Sequence, residues 1–68
     1  MTHFQDRPCA ASPLISYRAM GNFGWIMIGA WDNQDALREG QRSTNKQLTL
    51  ADVQVWNAEQ GRYIPVSQ

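Results

Sequence analysis

The sequence lacks most of what usually staples a small domain. Its 68 residues hold one cysteine, Cys9, and one histidine, His3. A lone cysteine excludes an internal disulfide. Two soft ligands in one short tail give no basis for a structural metal, and nothing in the chain asks for a cofactor. Charge is sparse and balanced, with six basic and six acidic side chains, so no global field steers the protein toward nucleic acid or anionic lipid. The longest apolar run, Trp25 to Trp31, is far too short to cross a bilayer. The opening MTHFQDRPCAASP has neither the basic start nor the apolar stretch of a signal peptide. These absences together predict a soluble cytoplasmic protein with a reduced thiol and no membrane partner. A domain of this length buries only about 60% of its unfolded surface. Without disulfide or metal, tight packing or oligomerisation must supply the rest.

What is present falls into two parts. Residues 1–13 show no period and contain Pro8 and Pro13, which reads as a flexible N-terminal arm. Phe4 is one aromatic, too little to order thirteen residues. From Leu14 onward, residues 14–68 read as a single domain. LISYRAM alternates in character, GNFG reverses the chain, and WIMIGAW follows. With Asn22 and Phe23 as the loop, Tyr17 faces Ile28 and Ala19 faces Ile26, so the apolar sets share one side. Gly21 and Gly24 offer the freedom that such a reversal needs. DNQDALREGQRST then reads as a helix with Asp32 as cap, Asp35 three residues on, and Arg38 and Arg42 toward its C-terminal end. Its buried stripe is thin: Ala36, Leu37, Gly40 and Ser43. LTLAD is a turn that sets Leu48 and Leu50 over the core. VQVW and RYIPV form a second hairpin around Ala58–Gly61, and Pro65 makes the last strand an edge. The expected fold is α+β: ββαββ, one helix on one face of a four-stranded, mainly antiparallel sheet, with strand order open.

Side-chain parity then isolates a surface. If the helix covers Ile15, Tyr17, Ile26, Ile28, Val53, Val55, Ile64 and Val66, the opposite face carries Arg18, Met20, Trp25, Met27, Trp31, Trp56 and Tyr63. A one-layer sheet normally turns polar residues to water. Large aromatics there point to an interface, since Trp, Tyr, Met and Arg are enriched at interface centres. The expected partner is a second copy of the chain or another protein. Two alternatives stay open. The arm and loops would make the face an ordinary second core, or its rings would stack the bases of a single-stranded nucleic acid. The second wants a basic surround, and only Arg18 falls naturally on this face.

Other constellations carry less. Arg38, Arg42 and Lys46 are spaced by four and would form a basic ridge if the helix reached Lys46; otherwise they are a solvated face suited to the helix dipole. Asp32 and Asp35 are explained by capping. His3 has no orienting partner near it, Cys9 has no basic cluster to activate it, and GNFG lacks the lysine of a phosphate loop. No catalytic set emerges, and the expectation is a protein that is not an enzyme.

The segments GWIMIGAWDNQDALREGQRST and VQVWN…GRYIPV resemble a group of small uncharacterised proteobacterial proteins often carried on mobile genetic elements. The likeness spans about residues 15–66. It brings no activity and no residue role. It implies a class of function, that of short accessory or inhibitor proteins that work by binding.

Overall fold

The computed structural model describes residues 7–66. His3 and Phe4, weighed above, lie outside the described residues. The first hairpin pairs β1 (Ile15–Gly21) with β2 (Gly24–Ala30) in the register expected from parity, Tyr17 opposite Ile28 and Ala19 opposite Ile26. Asn22 and Phe23 are its loop. Of the two flanking glycines only Gly24 takes a positive φ, +120°, a value that side chains with a Cβ rarely adopt.

Helix α1 spans Asn33–Gln41. The Asp32 carboxylate accepts from the Asp35 N–H at 2.8 Å, and Asp35 reaches back to the Trp31 N–H at 3.1 Å. This is a reciprocal cap displaced by one residue from the usual box. The helix is shorter than its polar periodicity suggests because Gln41 closes it: its amide donates to the carbonyls of Thr44 and Lys46, and its oxygen accepts from the Leu48 N–H. Ser43 is therefore exposed, not part of the buried stripe. Ala36 and Gly40 are buried, and Leu37 packs at their side. A Cβ on Gly40 would stand 3.0 Å from Ile28 Cδ1 and 3.2 Å from Leu48 Cδ1. The glycine lets the helix lie close against β2.

A short 3-10 turn, Leu50–Asp52, leads into β3 (Val53–Asn57), and β4 (Arg62–Pro65) closes the chain. Gly61, at φ +65°, and the Asn57 side chain, accepting from the Gln60 N–H, shape the second turn. The sheet order is β2-β1-β3-β4 with every neighbour antiparallel. Strands β2 and β3 thus run in the same direction with β1 between them, and the helix is the crossover that joins them. Pro65 lies on an edge strand, as its missing N–H requires. The core under the helix gathers Tyr17, Ala19, Ile28, Ala30, Ala36, Leu48 and Val53. Tyr17 keeps its hydroxyl satisfied there by donating to Asn33 Oδ1 at 2.9 Å. Burial, then the nearby Asp32 and Asp35 charges, push its ionisation up.

Candidate functional site

On the helix-free face, the sheet register brings Met27, Arg18, Gln54 and Pro65 into one row across the four strands. Arg18 is its centre. Its Nε donates to Gln54 Oε1 at 2.8 Å, and its guanidinium lies 4.0 Å from the Trp25 ring centre and 4.7 Å from that of Tyr63. Trp56 meets Tyr63 edge-on, with centroids 5.3 Å apart. Cation–π contacts of this kind contribute about 0.5–2 kcal/mol, rising with desolvation, and an edge-to-face pair adds about 0.5–1.5 kcal/mol. Six of the seven expected residues therefore lie on this face: Arg18, Met20, Trp25, Met27, Trp56 and Tyr63.

Two of the seven depart from the expectation of a shared open surface. Tyr63 is buried, at 6% exposure. Its hydroxyl donates to the Arg7 carbonyl at 2.9 Å. Burial chiefly, and the Cys9 thiol beside it, hold its ionisation well above the usual tyrosine range, with Arg18 opposing. It anchors the chain's own N-terminal segment and is not open to a partner. Trp31 lies one residue past the end of β2, at 61% exposure, outside the ring cluster.

The segment that covers Tyr63 is held by a seat the sequence does not advertise. Ser16 and Gly29 are paired across β1 and β2 on the helix-free face. Ser16 is buried, and its Oγ accepts from the N–H groups of Cys9 and Ala10 at 3.1 and 2.9 Å. Ala10 sits so close over Gly29 that a Cβ there would approach its own within 3.0 Å. The Cys9 thiol turns down to the Ile28 carbonyl at 3.3 Å. The detectable signal was the pair of small residues facing each other on an otherwise bulky face. Residues 7–10 thus cover one end of this face. Its remainder carries Met20, which is exposed, and Trp25, Met27 and Trp56, which are half-buried.

The basic ridge does not form. Helix α1 stops before Lys46, whose ammonium donates to the Met20 carbonyl at 3.0 Å and pairs with Asp52 at 3.4 Å. Arg38 pairs with Asp35, and Arg42 with Glu39. Each cation has a carboxylate beside it. Asp52 accepts from the Thr49 N–H and faces Lys46, which together hold its carboxyl below the ordinary range. No group of three or more His, Cys, Asp or Glu side chains placed to hold a metal occurs among the described residues. No helix among them is long and apolar enough to cross a membrane.

No family model, curated protein or solved structure matches this chain.

Proposed function

We propose that this chain is a non-enzymatic binding module that offers the open part of its helix-free face to a protein partner, as an accessory or inhibitor protein of a mobile element. The observation that carries this reading is the clamped Arg18. A guanidinium fixed by Gln54 and held between Trp25 and the buried Tyr63 leaves the partly exposed rings of Trp25 and Trp56 in a set geometry. Surface of this composition is typical of the energetic centre of protein interfaces. Side chains ordered before contact reduce the entropy lost on binding. The neutral charge balance and the acid-paired Arg38, Arg42 and Lys46 favour a protein over a polyanion.

The test compares capture from a host-cell extract by the wild type, by Trp25→Ser and by Arg38→Ala, quantified by mass spectrometry. A protein held by wild type and Arg38→Ala, and lost from Trp25→Ser, supports the reading. Identical capture by all three contradicts it. A parallel titration with a single-stranded oligonucleotide at low salt examines the competing chemistry. Quenching of tryptophan fluorescence that weakens steeply as salt rises would transfer the face to nucleic acid.

A further inference from the structure

The edge of the sheet at β2 has neither the shortness, the charge nor the proline that usually keeps an edge strand single. It is seven residues long, GWIMIGA, with no charge and no proline. Natural edges are shortened, charged, bulged or interrupted by proline. We infer that β2 pairs antiparallel with β2 of a second copy, about a two-fold axis through Met27, so that two four-stranded sheets join into one.

The hydrogen-bond alternation of the sheet fixes which groups are available. The Val66 N–H donates to the Val53 carbonyl. Bonds alternate sides along an antiparallel strand, so Val53 and Val55 turn toward β4, and Gln54 toward β1. Carried through the Arg18–Gln54 and Ala19–Ile26 pairs, the same alternation turns Tyr17 and Ala19 toward β2. The outward N–H and C=O groups of β2 are therefore those of Trp25, Met27 and Gly29. They lie symmetrically about Met27, as a two-fold antiparallel pair needs.

The side chains are self-complementary under that operation. Trp25 falls opposite Gly29 of the second copy, where Ala10 and Leu14 stand over the glycine and give the ring an apolar neighbour, and Ile26 falls opposite the helix-covered Ile28. Phe23 and Trp31 each stand four residues from Met27, one residue beyond either end of the strand. They are the two most exposed large hydrophobic residues described, at 104% and 61%. The two-fold register sets Phe23 of each copy against Trp31 of the other. A surface that meets itself in this way is the isologous contact of a closed dimer. The inference rests on the edge and does not depend on what the helix-free face binds.

The test uses the full chain with Cys9→Ser as background. In a hydrogen-bonded antiparallel pair the Cα atoms stand about 5.5 Å apart, within the range a disulfide bridges. Met27→Cys is expected to give a disulfide-linked dimer under mild oxidation, whereas Arg62→Cys on the opposite edge is not. Phe23→Cys and Trp31→Cys are expected to link through a short bis-maleimide when mixed, and much less when either is alone. Phe23→Ser is expected to weaken the dimer about tenfold or more in sedimentation. A wild type that sediments as a monomer at every concentration would overturn the inference. So would equal linking at positions 27 and 62, or linking of Phe23→Cys alone as efficient as in the mixture.

Discussion

Strand β4 runs four residues, begins at Arg62 and ends at Pro65, while β2 at the other edge runs seven with neither charge nor proline. The same alternation that leaves Met27 facing outward on β2 leaves Pro65 facing outward on β4, so the residue without a donor stands where a donor would be exposed. Each edge is fastened to the domain by a different means. Strand β4 is held through Tyr63, which is buried between Trp56 and the N-terminal segment. Strand β2 is held through Ile28 beneath the close-lying helix. One edge is terminated and the other is left able to pair. Edge and face meet at Trp25 and Met27, which lie on β2 and on the helix-free face alike: the face adds the clamped arginine and its rings, and the edge adds outward backbone groups.

The domain is most vulnerable at the anchor of β4. Tyr63→Ala removes a buried ring and is expected to cost about 3–5 kcal/mol, a large share of the stability of a small domain. Urea unfolding followed by tryptophan fluorescence measures it. Gly40→Val attacks the fastening of β2 instead. The added methyls press on Ile28 and Leu48, and an overpacking cost of about 1–3 kcal/mol is expected by the same method. Ser16→Ala removes the acceptor for two N–H groups of the segment over Tyr63. It should cost about 1 kcal/mol and accelerate amide exchange at Cys9 and Ala10. Pro65→Val sharpens the contrast with little change in chain stability, less than about 0.5 kcal/mol. It restores an outward donor on β4, and assemblies larger than a dimer are expected in sedimentation velocity.

The smallest effect concerns the crossover that sends β3 and β4 beyond β1. Asp52 helps fasten it, and its carboxyl is held below the ordinary value of 3.8. Stabilisation from such a group is fully present above that value and is lost as pH falls through the lowered one. Asp52→Asn should therefore flatten the dependence of stability on pH below about pH 4, leaving the neutral range with a modest, pH-independent loss.

Both hairpins, their registers and the division of faces were legible because a two-residue period reports directly which side a residue takes. The edge position of β4 was legible from Pro65 alone. Strand order was not, since parity carries no information about neighbours; it follows from the helix crossing over β1. The docking of residues 7–10 was hidden because an irregular segment has no period, and only Ser16 opposite Gly29 marks where it lands. That docking takes Tyr63 out of the open surface. The early helix end was hidden for a related reason: Gln41 secures Thr44, Lys46 and Leu48 through its side chain, a long-range cap that leaves the polar pattern unchanged. The basic ridge of Arg38, Arg42 and Lys46 fails with it.

Residue-resolved amide exchange, recorded on the wild-type chain at low and high protein concentration, reads both edges at once. Protection at Trp25, Met27 and Gly29 should rise with concentration, while the outward N–H of Tyr63 on β4 exchanges alike at both. Free exchange at Trp25, Met27 and Gly29 at every concentration would contradict a paired β2 edge.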